Sequence, residues 1–190
     1  MIPGAPWSAL PPSFATERLV LRAAVPSDAA AIFAEYASDD AATRFLTWKP
    51  HRSPADTEAY LARCAEARAG GRSGTYALVP AGAGAAGAAI GALDLRLETP
   101  HRVGFGFVLG RRHWGKGLMP EALAQVVGWA LGQPVVWRTW AVCDADNAAS
   151  ARTMEKAGLR FEGRLRRHAV SPNIGPDPRD HLAYARVRGD

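Results

Sequence analysis

Along "TERLVLRAA" the apolar positions Leu19 and Leu21 alternate with polar ones, the period-two pattern of a half-buried strand. The period then lengthens. In "PSDAAAIFAEYAS", Ile32, Phe33 and Tyr36 share one face of a helix that Ser27 or Asp28 would start. A second helix is predicted from Ser53-Pro54 to about Arg68, with proline at the first position, where its missing N–H does no harm. "TYALVP" and "AIGALDLRLE" read as strands, and the "AGAGAAGA" between them as a flexible hairpin connection. "RVGFGFVLG" is a fourth strand, unusually rich in glycine.

Helical spacing returns after residue 117. Leu118, Ala122, Val126 and Trp129 form one stripe, with Leu123, Val127 and Ala130 beside it. "PVVWRTWAVCD" reads as a buried strand, and "NAASARTMEKAG" as a helix capped by Asn147 and stopped by Gly158. "LRFEGRLRRHAV" and "RDHLAYARVR" close the chain as two strands, and the proline-rich stretch from Ser171 to Arg179 should be the loop between them. Seven strands and about four helices in this order predict an α+β, mixed-sheet domain with no internal repeat. The expected domain runs over 16–190. Residues 1–15, broken by prolines, are expected to be a loosely ordered leader. No apolar run reaches bilayer length and no basic start precedes an apolar stretch, so the expected compartment is cytoplasmic, with no membrane partner.

Composition changes this picture at one point. The 190 residues carry a net charge of +5, and only three of the 23 basic residues are lysines, so arginine supplies the charge. Arginine pairs bidentately with phosphate, so the balance favours an anionic partner, either nucleic acid or a phosphate-rich small ligand. Cys64 and Cys143 lie far apart, and no His-x-x-x-His pair occurs, so no metal site is expected.

The basic cluster at 111–116 lies in "GRRHWGKG", which reads Gly-x-x-x-x-Gly-Lys. A nucleotide-hydrolase phosphate loop would need Ser or Thr at 117 for Mg²⁺, and would follow the first strand of a parallel unit. Here the residue is Gly117, and the loop follows the fourth strand of an antiparallel-looking run. Gly104-x-Gly106 lies inside a strand and marks a bulge or a close backbone approach. What remains is Arg112-x-x-Gly115-x-Gly117 at a strand-to-helix junction. Consecutive amides at a helix N-terminus form a donor cradle for oxygen anions, and glycine allows positive φ and close approach. With Arg111, Arg112 and Lys116 around it, the cradle suits a pyrophosphate without a metal.

Arg112-x-x-Gly115-x-Gly117 resembles the acyl-CoA pyrophosphate loop of the GNAT superfamily of N-acetyltransferases. "HWGKGLMPEAL", "NAASARTMEKAG" and "FEGRLRRH" in succession resemble the branch of ribosomal-protein N-terminal acetyltransferases, from about Thr16 to Arg188. The resemblance implies a mixed, mostly antiparallel seven-stranded sheet flanked by about four helices, with a splayed central strand pair that admits acetyl-CoA. It implies that backbone groups of Phe107, Val108 and Leu109 pair with the pantetheine arm. The amides of Arg112, His113, Trp114, Gly115, Lys116, Gly117 and Leu118 would hold the pyrophosphate. Asn147 would sit beside the cofactor arm as well as capping its helix, and Arg152 and Lys156 would either reach the adenosine or be solvated helix charges. A homodimer is compatible with the family.

Catalytic residues are less legible. Relatives often carry a tyrosine acid where this chain has Met154, which reads as core. Ser150, in the first turn of its helix, is the candidate for bonding the leaving sulfur, or is simply a polar first-turn residue. Relatives often have Glu where this chain has Gly104, leaving Asp94, His101, Asp180 and His181 as substitute bases. At pH 7 roughly 10% of an α-amine but about 0.04% of a lysine is neutral, so a weak base suits an α-amine acceptor. Three readings follow: an acyl-CoA-dependent N-acetyltransferase, a CoA-binding protein without catalysis, and a nucleic-acid-binding module. The last is disfavoured because it lacks a recognition motif. The acceptor, whether a protein N-terminus, an aminoglycoside-like drug or a small metabolite, stays open.

Overall fold

The structure is a computed structural model that describes residues 10–71, 73–84 and 86–190. Eight strands form one sheet: β1 (Ser13–Ala15), β2 (Leu19–Ala23), β3 (Ser73–Pro80), β4 (Gly91–Thr99), β5 (Arg102–Leu109), β6 (Arg138–Asp144), β7 (Arg160–Val170) and β8 (Pro178–Val187). Five α-helices accompany it: α1 (Ala29–Ile32), α2 (Asp40–Thr43), α3 (Pro54–Ala69), α4 (Leu118–Leu131) and α5 (Ala148–Lys156). The spatial order is β1-β2-β3-β4-β5-β6-β8-β7. Every neighbouring pair is antiparallel except β5 and β6.

Two differences from the sequence reading stand out. The sheet has eight strands where seven were expected, because Ser13–Ala15, inside the expected leader, pairs with β2. Residues 1–9 of that leader lie outside the described residues. The helix expected after Ser27 is also not continuous. A 3₁₀ turn, α1 and a π turn (Phe33–Ala37) succeed one another, and α2 follows with Asp39 as its cap. Short segments of this kind earn little from propensity and are set by packing, which explains why a count of about four became five.

Alternation decides which face each element covers. Leu93, Leu95, Val103 and Phe105 point to one side and meet Leu123, Val126 and Val127 of α4 and Met154 of α5. Ala77 and Ala92 point to the other, where their small size lets Ile32, Tyr36 and Leu61 of the α1 and α3 layer close on the sheet. The α3 start follows its sequence signal: Asp56 accepts from the amides of Arg52 and Ser53 behind Pro54. No described helix is long and apolar enough to cross a membrane.

The end of β6 is held by side chains of the β7–β8 hairpin. Asp144, 2% exposed, accepts from Arg179 Nε at 2.6 Å, from Ser171 Oγ at 3.0 Å and from the Asp146 amide at 3.0 Å. Burial alone would raise its carboxyl, but the Arg179 and Ser171 hydrogen bonds outweigh it and hold the group below the ordinary range. A carboxylate depressed in this way stabilises the fold above its unfolded pKa near 4, and that contribution is lost as pH falls through the folded value. Asp144→Ala should cost about 1–3 kcal/mol at pH 7, because it leaves the buried Ser171 hydroxyl without its acceptor and takes one of two carboxylates from Arg179. Urea melts from pH 7 to pH 3 should show the gap between wild type and variant closing only at the acid end.

Candidate active site

The parallel pair β5 and β6 is bonded over three residue pairs only, the last being Gly104 with Trp140. Beyond it the strands separate into a wedge. The Gly110 amide donates to Ile90 O on the β4 side at 2.9 Å. By strand alternation Val108 therefore turns its backbone to β4, while Phe107 and Leu109 turn theirs to the wedge. The Trp114 indole already donates to Leu109 O at 2.7 Å. Of the three residues expected to offer backbone to a ligand, Phe107 is open in both groups, Leu109 in its amide, and Val108 is committed to the sheet.

The glycine loop closes the wide end. Gly115 and Gly117 both have φ of +74°, the left-handed region that a side chain disfavours, and Gly117 is the N-cap of α4. Among the described residues no protein acceptor meets the amides of Gly115, Lys116, Gly117, Leu118 and Met119. That leaves five consecutive donors at the positive end of a 14-residue helix. The amides of His113 and Trp114, by contrast, bond back to Gly110 O and Arg111 O.

A cavity of about 360 Å³ joins wedge, loop and the first turns of α5. Every residue expected to touch the cofactor lines it except Arg112 and Lys116. Arg112 instead grips Glu35 with two nitrogens, His113 Nε2 lies 3.1 Å from the same carboxylate, and Arg111 pairs with Asp39 at 2.6 Å. A wider depression of about 600 Å³, floored by alanines, lies against these pairs, and its charges are already matched. The arginines expected around the cradle thus face α1 and α2. A cation missed from sequence stands near the loop: Arg18 donates to Lys116 O at 2.8 Å and pairs with Glu121 at 2.6 Å. Phe45 and Leu46, which no periodic signal marked, cover the cavity with an apolar wall.

Asn147 caps α5, its Oδ1 accepting from the Ser150 amide at 3.1 Å. Ser150 lines the cavity near the thiol of Cys143. Burial pushes that thiol up to about 11 against the pull of Ser150, so it stays protonated and unreactive near neutral pH. Arg152 and Lys156 are exposed on the rim, and Met154 is wholly buried. Of the substitute bases, His101 sits before the first residue of β5, at the far end from the loop. Asp180 is tied to Arg164 and the Arg167 amide, bonds that lower its carboxyl. His181 is buried with Nδ1 3.1 Å from Arg179 O. Asp94 lies opposite Gly106, and burial raises its carboxyl against the pull of Arg96 and Thr75. The loop after Ser171 reaches the opposite wall, where Asn173 Nδ2 donates to Thr43 O at 2.7 Å and Trp48 O at 2.8 Å.

A sheet that unzips beside a glycine-capped helix defines a class. The family model described as an acetyltransferase (GNAT) domain matches residues 18–160, and the chain belongs to that family. Among curated relatives it is 24% identical over 153 residues to an uncharacterised N-acetyltransferase, p20, of Bacillus licheniformis, covering 80% of this chain and 84% of that one. It is 39% identical to the uncharacterised N-acetyltransferase YjdG of Bacillus subtilis, over 28% of this chain and 32% of the relative. The match to YkkB of the same organism is 27% identical and spans 40% of this chain and 45% of that protein. In fold it is similar to a GNAT-family acetyltransferase from Bacillus anthracis, with TM-score 0.80, 21% identity and coverage of 94% and 99%. RimL, a ribosomal L7/L12 α-N-protein acetyltransferase solved with coenzyme A, gives TM-score 0.78, 21% identity and coverage of 90% and 95%. MccE, a microcin C7 self-immunity acetyltransferase solved with acetyl-CoA and AMP, gives 0.81, 16%, and 95% and 98%.

Two glycines of α4 provide a paired test of the loop geometry. Gly117→Ala should cost about 1 kcal/mol, since its φ is left-handed. Gly128, in the last turn of α4 with nothing within 4 Å of an added Cβ, should gain about 0.5–1 kcal/mol on change to Ala. Chemical denaturation of both variants checks the opposite signs.

Proposed function

We propose that this chain moves an acetyl group from acetyl-CoA to a primary amine by direct transfer, with a protein N-terminal α-amine as the favoured acceptor. One observation carries the reading: five unpartnered amides at the start of α4 stand beside a β5 edge that has lost its neighbour. Phe107 and Leu109 would take the pantetheine arm as an added strand, the amides from Gly115 to Leu118 the pyrophosphate, and Arg152 and Lys156 the adenosine end. That RimL and MccE were solved with coenzyme A and acetyl-CoA supports the ligand class, and the RimL substrate supports the acceptor class. A single catalytic domain that includes β1 along with 16–190, working in the cytoplasm, fits the same reading.

The chemistry needs a neutral amine, donors for the oxyanion and a proton for the departing thiolate. Ser150 and the amide end of α5 face the sulfur in this arrangement. A thiol of pKa near 8.5 is already a tolerable leaving group, and a helix N-terminus lowers the cost of its charge by about 0.3–1 kcal/mol. Binding without turnover is the second reading, favoured by Met154 being buried core.

Calorimetry and a thiol-release assay separate the two. Wild type should bind acetyl-CoA, and Gly117→Val should weaken binding at least tenfold while remaining folded. Unchanged affinity in that variant would exclude the cradle. Ser150→Ala should lower kcat by up to about 100-fold, the low end of general-acid effects, with acetyl-CoA affinity unchanged. Coenzyme A release that no amine stimulates would leave the binding-only reading.

A further inference from the structure

We propose that Arg18, in the turn between β1 and β2, is a positioning residue for the pyrophosphate cradle, aiming the Gly117 amide at the ligand through the carbonyl of Lys116. The inference rests on the acyl-CoA reading above and needs only its binding half. Arg18 Nη1 donates to Lys116 O at 2.8 Å, across 98 positions of sequence. In a trans peptide the carbonyl and the N–H that follows it point in opposite directions. Fixing Lys116 O on Arg18 therefore turns the Gly117 N–H to the other side, where Gly117 lines the cavity. Gly117 is the middle one of the five unpartnered donors from Gly115 to Met119. Glycine tolerates either sign of φ, so its own backbone offers little resistance to a flip of that peptide. A flip would replace the central donor of the run with a carbonyl oxygen, which repels an anion.

Arg18 is itself held in place. Its amide donates to Glu121 Oε1 at 2.9 Å, and its carbonyl accepts from the Ala81 amide at 2.9 Å. The side chain thus starts from fixed backbone, and Nε reaches Glu121 Oε2 at 2.6 Å. Glu121 gives that pairing a second consequence. It stands in the first turn of α4 with its side chain 20% exposed. Burial would raise its carboxyl, but hydrogen bonds from Thr16 and Arg18 hold it below the ordinary range, so it is ionised at neutral pH. A negative charge in that turn competes with an anionic ligand for the same positive helix end. Arg18 is the cation that offsets it, since Arg111 and Arg112 are committed to Asp39 and Glu35. One planar fork orients the loop and neutralises its carboxylate together, which a lysine point charge cannot do.

Arg18 does not line the cavity, so it acts from behind the loop. An added Cβ on Gly117 would stand 3.4 Å from Arg18 Nη2, which sets the guanidinium against that loop. Its influence reaches the pyrophosphate end of the ligand only. The pantetheine arm, along Phe107 and Leu109, meets none of these groups.

The test compares two ligands. Calorimetry measures the affinity for acetyl-CoA, and an NMR titration that for S-acetylpantetheine, which has the same arm without the pyrophosphate. Arg18→Met keeps the apolar stem and removes every donor. It should weaken acetyl-CoA binding by about tenfold or more, the scale of one charge-assisted hydrogen bond, and leave S-acetylpantetheine within about twofold of wild type. Arg18→Lys is the milder variant, keeping a charge beside Glu121 without the fork. It should melt as wild type does and still lose about fivefold, again for acetyl-CoA alone. Glu121→Gln keeps an acceptor and removes the charge, so the Arg18→Met loss should shrink by about threefold in that background. Acetyl-CoA affinity within twofold of wild type in folded Arg18→Met or Arg18→Lys, or equal losses for the two ligands, would overturn the assignment. An undiminished loss in the Glu121→Gln background would overturn the neutralising role. Wild-type protein that binds acetyl-CoA no more tightly than S-acetylpantetheine would instead sink the cradle, and the acyl-CoA reading with it.

Discussion

A strand that loses its neighbour halfway along exposes donors and acceptors that must be satisfied, since a buried unpaired backbone group costs as much as a lost hydrogen bond. In this protein that happens to β5 beyond Gly104. Two of the orphaned carbonyls are met by side chains, Leu109 O by the Trp114 indole and Phe105 O by Arg96. Phe107 between them faces the cavity. β6 cannot close the gap, because the Asp144 network draws its end towards Ser171 and Arg179 of the β7–β8 hairpin. A buried carboxylate thus fixes the end of one strand, and the Trp114 and Arg96 side chains cap carbonyls of the other.

The parallel relation of the two strands explains the rest of the site. Each is followed by a helix, so α4 and α5 both begin at the same end of the sheet. Two positive helix ends therefore converge on one opening, and they do so through backbone, which needs no charged side chain. This accounts for an otherwise odd feature of the arginine-rich loop. Arg111 and Arg112 are spent on Asp39 and Glu35, pairs that fasten the loop to the start of α2 and to the π turn before it. Neutralising Glu35, whose side chain is 5% exposed, also removes a buried charge that would oppose an anion nearby. The basic composition pointed to an anionic ligand by way of side chains, and the amides carry that role here.

What the sequence disclosed was local. Gly117 at a helix start, Asn147 as a cap and Pro54 at the first position of its helix each follow from residues within four positions, and each is found as expected. What it hid was long-range. Whether Arg112 faces a ligand or Glu35 depends on a contact 77 residues away. The short β1 gains its place by pairing with β2, and α2 by its Asp39 cap and packing, and neither has an apolar period long enough to read. Asp94 looked equal to His101, Asp180 and His181 in sequence. That it lies opposite Gly106 is visible only in the register of β4 and β5.

The glycines of β5 then acquire a reason that their strand propensity would not supply. A Cβ on Gly104 would lie 2.5 Å from Glu98 Oε1, and one on Gly106 would lie 3.1 Å from Arg96 Nη1. Glu98 is itself fixed by the Trp140 indole at 2.7 Å and by Arg102 at 3.0 Å. The charged side chains Glu98 and Arg96 of β4 therefore lie across the bare positions Gly104 and Gly106 of β5. A carboxylate placed on Gly104 would not add to that arrangement. Its Cβ would displace Glu98 from Trp140 and break the cover, because the space it needs is already filled from the neighbouring strand.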